Sequence, residues 1–249
     1  MSILKIFLIL LAGSAAGFIN VLAGGGSLLT IPALIFLGLP PATANGTNRI
    51  AILGQNVMAV SKFKKEGYFH WKTAILMSVP AIAGSIIGSS VAVDISGELF
   101  EKILSILMLV MLGVILFSNI KTKAKEMLNE EPQNKVLLFI AFFFVGLYGG
   151  FIQAGVGFII IAVLSIIGQI NLVRTNSIKV FIVGIYTIAS LIVFYLNGNL
   201  NFLYGLILAV GNSTGAYVGS HFAVKKGDKW IRVILSIAIV SMAVKLFFF

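Results

Sequence analysis

Hydrophobic positions in this chain fall in long unbroken runs, not in a one-sided helical stripe or a strand-like alternation. Trp71 to Val93 and Phe202 to Ala223 each continue for about 20 residues without an interior acid, enough for a helix to cross a ~30 Å hydrocarbon core. Strands of an outer-membrane barrel would alternate apolar and polar positions. The pattern therefore predicts membrane-spanning helices. Two of the runs are broken by glycine. Ile3 to Leu22 leads into Ala23-Gly24-Gly25-Gly26-Ser27 and then Leu28 to Leu37. Val136 to Ile152 leads into Gln153-Ala154-Gly155-Val156-Gly157 and then Phe158 to Ile167. Three longer runs follow each break.

The two breaks belong to an internal repeat. Displaced by 130 residues, Gly25 meets Gly155, Gly38 meets Gly168, Thr47 meets Ser177 and Arg49 meets Lys179. Displaced by 131, the segment from Ala83 to Ser89 meets Thr214 to Ser220. The order is kept, and one loop insertion accounts for the drift. Residues 1–118 form a first membrane repeat, 119–135 a polar linker, and 136–249 a second repeat. The linker carries Lys121, Lys123, Lys125, Glu126, Glu130, Glu131 and Pro132, a composition that suits a connection between units.

Composition narrows the class further. Of 249 residues, 59% are hydrophobic and 10% charged, with a mean hydropathy of +1.08. A soluble domain carries roughly a quarter charged residues. The net charge of +10 reads as positive cytoplasmic loops and not as a nucleic-acid surface. Cysteine is absent, which removes disulfides, thiolate nucleophiles and thiolate metal sites. Lys5, the run Ile6 to Leu11 and the small residues Gly13 to Gly17 imitate a cleaved secretory signal. The segment just beyond has its counterpart in the second repeat, so the expectation is that it is retained.

Loop charges set an orientation. Lys62, Lys64, Lys65 and Lys72 mark one cytoplasmic loop, and the linker marks another two spans later. In the second repeat the basic loop holds Lys225, Lys226, Lys229 and Arg232, whereas its first-repeat counterpart, Asp94 to Lys102, is acidic on balance. Equivalent loops thus face opposite sides, which predicts an inverted repeat with an odd number of crossings per half.

Candidate chemistry gathers at the breaks and just after them. Irregular backbone at membrane depth is tolerated where it is buried in protein or lines a wet cavity. Half-helix N-termini at such breaks aim positive dipole ends at an anion. Gly24, Gly25 and Gly26 would expose backbone N–H groups, and Ser27 would cap the next helix. Gln153 and Gly155 are the second-repeat equivalents. Asn45, Thr47, Asn48 and Arg49 stand opposite Asn176, Ser177 and Lys179. All eight acids fall in or beside loops, so Arg49 and Lys179 have no carboxylate partner in the spans and suggest an anion site. The competing reading has both cations snorkelling to an interface. Gln55, Asn56, Asn212, Ser213 and Thr214 either line a path or join helices. Gly84/Gly88 and Gly215/Gly219 read as helix-packing faces. His70 and His221 lack ligand spacing, so neither a metal nor a cofactor is expected, and no catalytic residue is assigned. No Gly-Lys-Ser/Thr follows the glycines, which excludes a nucleotide loop.

The stretch from Gly17 through Gly24-Gly25-Gly26-Ser27 to Pro32, followed by Gly38 to Arg49, resembles the signature of the TauE/SafE sulfite exporter family. Gly149-Gly150 through Lys179 is a weaker second copy, departing from it by having Gln153-Ala-Gly-Val-Gly157 in place of a triple glycine. The resemblance covers nearly the whole chain. It implies an integral membrane protein of about eight spans of about 20 residues each. It also implies transport of sulfite, an organosulfonate or a small carboxylate.

The expectation is thus an all-α polytopic protein of a bacterial-type plasma membrane, built from two inverted repeats and acting as a secondary exporter of a small anion. Its partners would be that anion, the lipid bilayer and a coupling proton or sodium ion, with no nucleic acid; a homo-oligomer is compatible. An anion channel would use the same chemistry. A membrane-embedded enzyme would need an acid–base or nucleophile set that the spans lack. A structural subunit would leave the paired cations unexplained.

Overall fold

The computed structural model describes residues 2–23, 25–65, 71–117, 132, 134–170, 172–222 and 239–248. The described residues are helical, with no β-strand among them. The helices are α1 (Ile3–Ala23), α2 (Ser27–Phe36), α3 (Pro41–Lys65), α4 (Trp71–Asp94) and α5 (Gly97–Phe117). They continue with α6 (Lys135–Phe151), α7 (Val156–Ile166), α8 (Leu172–Leu196), α9 (Phe202–Phe222) and α10 (Ile239–Phe248). Both glycine breaks separate helices as the sequence predicts. Gly24, Glu66, His70, the linker from Ser118 to Glu131 and the basic loop from Lys225 to Arg232 lie outside the described residues. Among the described residues, three apolar stretches are long enough to cross a membrane: Ile3–Asn20, Trp71–Asp94 and Arg174–Leu196. α3 is long enough but much less apolar, because it carries Asn45, Asn48, Arg49, Gln55 and Asn56.

α1 and α2 form a hairpin. Gly26 lies against the carbonyl oxygen of Ala16, and an added Cβ there would sit 2.7 Å from it. Ile9 and Leu34 share an apolar cluster further along. α2 therefore returns toward the side from which α1 starts, and its ten residues, about 15 Å long, do not span a bilayer.

Long helices pair across the two halves of the sequence. α1 packs parallel to α9, and α4 packs parallel to α6. Glycine makes both contacts possible. A Cβ on Gly17 or Gly215 would overlap the carbonyl oxygen of Asn212 or Ser14, and one on Gly84 or Gly88 that of Phe143 or Leu147. Small residues let backbones touch, which is how helices associate when lipid is as apolar as their side chains. α3 and α8 cross antiparallel, with Thr43 donating to Asn199 Oδ1 at 3.1 Å near one end and Gly184 beside Asn56 further along. Ile75, Val79, Ile86 and Val91 of α4 and Leu203, Leu206 and Val210 of α9 remain exposed, an apolar exterior suited to lipid.

Candidate functional site

A cavity of about 330 Å³ lies between the two breaks. Asn20 near the end of α1 and Ser27, the first residue of α2, line it from the first break. Gln153, Gly155, Val156 and Gly157 line it from the second. α3 contributes Ile52, Gln55, Asn56, Ala59 and Phe63, and α8 contributes Asn176, Lys179, Val180 and Val183. The N-termini of α2 and α7 thus open on one space, and each adds a partial positive charge to it. Among the described residues, Lys179 is the charged member of this lining, and no carboxylate joins it. Lys179 is half-buried, and its ammonium donates to Asn176 Oδ1, one turn earlier, at 2.8 Å.

The second break is built around Gln153. Ala154 N–H donates to the carbonyl of Ile152 at 2.7 Å, which closes a γ-turn, and Gln153 at its centre has φ 59°. This positive-φ form is rare and strained, and a non-glycine residue in such a region costs about 1–3 kcal/mol. Gly155 follows with φ 72° as the N-cap of α7. A Cβ there would lie 2.8 Å from Met111 Sδ, so glycine is needed on both counts. Several side chains hold the turn. Tyr148 Oη donates to the Ala154 carbonyl at 2.5 Å, and Gln153 Nε2 donates to Thr187 Oγ1 at 3.1 Å.

Arg49 closes the same turn from α3. It is fully buried. Nη1 donates to the Gly149 carbonyl at 2.9 Å and to Gln153 Oε1 at 2.8 Å. Nη2 donates to the Gly150 carbonyl at 2.5 Å and to Asn45 Oδ1 at 3.3 Å. Asn45 Nδ2 donates to the Phe151 carbonyl at 2.7 Å. Three successive carbonyls at the C-terminus of α6 are thereby satisfied, and the cation sits on the negative end of that helix. The Phe194 ring stacks against the guanidinium, 4.8 Å from ring centre to Cζ.

These contacts sort the predicted residues. Ser27, Gln153, Gly155, Asn176 and Lys179 face the cavity. Arg49 does not line it: four of its five N–H donors are taken by carbonyl and carboxamide oxygens, and its complete burial also excludes snorkelling. Asn45, also on α3, is its companion and donates to the last carbonyl of α6. Thr47 accepts from Asn201 N at 2.9 Å at the start of α9, and Asn48 Oδ1 accepts from Thr30 Oγ1 at 2.6 Å. Ser177 Oγ donates to the Arg174 carbonyl at 2.8 Å. Ser27 does not cap α2, because it is already the first helical residue and Gly26 holds the N-cap position without a side-chain bond. Gly25 is buried against Phe158.

The sequence profile of the sulfite exporter TauE/SafE family matches residues 9–246, nearly the full chain. The chain belongs to the TauE/SafE family. It is 28% identical over 240 residues to "Probable membrane transporter protein ORF9" of a Sinorhizobium species, covering 94% of this chain and 89% of that one. It is 29% identical over 240 residues to a "Probable membrane transporter protein" of Haemophilus influenzae, covering 94% and 91%. With "Probable membrane transporter protein YfcA" of Escherichia coli K12 it shares 30% identity over 238 residues, covering 94% and 86%. No solved structure gives a significant match.

Asn20 is the part of this TauE/SafE site that was not singled out from the sequence. Gln55 Oε1 accepts from Asn20 Nδ2 at 2.8 Å and from Asn212 Nδ2 at 3.1 Å. Gln55 therefore ties α1 and α9 together through its oxygen. The polar face of α3 marks Gln55 and Asn56 in the sequence, but Asn20 sits in an otherwise apolar helix end and signals nothing until its partner is known.

Proposed function

We propose that this TauE/SafE protein is a secondary transporter that exports a small anion, such as sulfite, an organosulfonate or a small carboxylate. The observation that carries the reading is the convergence of two helix N-termini and the Lys179 ammonium on one cavity with no lining carboxylate among the described residues. The anion's charge would be met by Lys179, and its oxygens by backbone N–H groups at the starts of α2 and α7, with Ser27, Gln55 and Asn176 around them. Coupling to a proton or sodium gradient is expected, since no nucleotide motif is present. The test is flux of candidate anions in vesicles containing purified protein. Saturation with counterflow marks a carrier. Flux that rises linearly with concentration and shows no counterflow would instead make it a channel.

The same proposal includes two inverted repeats in a plasma membrane. Its support is directional: α1 runs parallel to α9, α6 runs parallel to α4, and the equivalent helices α3 and α8 are antiparallel. Cysteines placed singly at Lys64 and at Lys226, which lies outside the described residues, are expected to react only with cytoplasmic reagent. A cysteine at Glu98 is expected to react only from outside. The native chain has no cysteine to confuse the assay. Labelling of Lys64 and Lys226 positions from opposite sides would end the inverted reading.

Gly25→Leu tests the first break. A Cβ there would meet Leu28 Cδ1 at 3.3 Å and Phe158 Cε2 at 3.4 Å, so the larger side chain must displace the start of α2. Flux is expected to fall by roughly tenfold or more, equivalent to about 1.4 kcal/mol, while the protein still inserts. Wild-type flux in a well-expressed Gly25→Leu protein would remove this element from the site.

A further inference from the structure

We infer that Arg49 is a positioning residue: it latches the turn at Gln153 and thereby aims the cavity-facing start of α7, without touching the cargo. The guanidinium points at the end of α6 and at the Gln153 side chain, and not into the cavity. The turn it holds has a backbone conformation that an L-residue leaves readily when nothing constrains it. Immediately beyond Gly155, the first turn of α7 lines the cavity at Val156 and Gly157. A change at Gln153 therefore re-aims the N–H groups offered to the anion. Arg49 comes from α3 and the turn joins α6 to α7, so the latch fastens two distant parts of the chain at 104 residues' separation.

The idea separates cleanly from a direct role in holding the anion. Glycine at position 153 would adopt positive φ without a latch. Arg49→Gln should therefore be harmful in the native background and much less so in the Gln153→Gly background. A direct ligand would lose the same affinity in both, which a double-mutant cycle detects.

Two readouts are used on the full-length protein in vesicles. The first is alkylation of a cysteine introduced as Val156→Cys, probed with a small methanethiosulfonate, and it needs no transport assay. Arg49→Gln is expected to raise its rate about tenfold, and Gln153→Gly in the same chain to bring it back to within about twofold. The second is saturable sulfite flux, which rests on the transporter reading; Arg49→Gln should lower it about tenfold in the native background and less than about threefold in the Gln153→Gly background. Thr187→Val loosens the other end of Gln153 while leaving the charge in place, and covers the case in which Arg49→Gln fails to fold. It should also speed labelling, again reversed by Gln153→Gly. Unchanged labelling in Arg49→Gln, or in Thr187→Val if Arg49→Gln does not fold, overturns the latch, as does equal loss of flux in both backgrounds. Labelling that follows the latch pattern while even the native protein carries no sulfite supports the latch and counts against sulfite as cargo.

Discussion

Lys179→Gln is expected to abolish saturable anion flux while leaving the protein folded. Lys179 is half-buried on the cavity wall, and the one hydrogen-bond acceptor its ammonium has among the described residues is the neutral Asn176 side chain. A bound anion would complete the ion pair, and breaking a buried pair by removing one partner costs about 3–5 kcal/mol. The apparent affinity should therefore drop by at least about a hundredfold. Folding should be spared because the empty site gains nothing from an uncompensated buried charge. Lys179→Arg keeps the charge with a larger planar head and should retain partial flux. Native affinity and rate in Lys179→Gln would show that the anion is held elsewhere.

The second large effect falls on assembly. Gly84→Ala should prevent α4 and α6 from closing, because the added methyl would overlap the Phe143 carbonyl oxygen and lie 2.7 Å from Leu147 N. These are backbone atoms on both sides, so no side-chain rotation relieves the clash. Overpacking of this kind costs about 1–3 kcal/mol or more, which would lower the melting temperature in detergent by about 4–10 °C. Gly113→Ala in α5 is the control: a Cβ there meets nothing within 4 Å, and alanine is the better helix former. Equal melting temperatures for Gly84→Ala and the native protein would rule out the backbone-to-backbone contact.

How much of this was legible beforehand differs by feature. The breaks were visible because glycine runs interrupt otherwise continuous apolar segments, and helix ends at Ala23, Ser27, Phe151 and Val156 fall within two residues of the expected runs. The small faces at Gly84, Gly88 and Gly215 were visible as spacing, but not their partners, which lie in the other half of the chain. Arg49 shows what residue type alone leaves out. Searching the spans for an acid to pair with it finds none and suggests an anion. Its actual partners are the Gly149 and Gly150 carbonyls at the end of α6 and the carboxamide oxygens of Gln153 and Asn45, and every residue has a carbonyl, so no sequence scan marks those two. Lys179, which meets it when the sequence is displaced by 130 residues, has a different surrounding and does face the cavity.

The pairing of α1 with α9 bears on how the protein is made. Ser14 Oγ and Thr214 Oγ1 lie 3.4 Å apart across that interface, at a sequence separation of 200 residues. At ordinary elongation rates α1 would leave the ribosome about 10–40 s before its mate exists. During that interval its glycine-notched side at Gly13 and Gly17 has only lipid, the insertion machinery or an unrelated helix to face. Biogenesis must therefore keep an early helix uncommitted until nearly the whole polypeptide has been threaded into the bilayer.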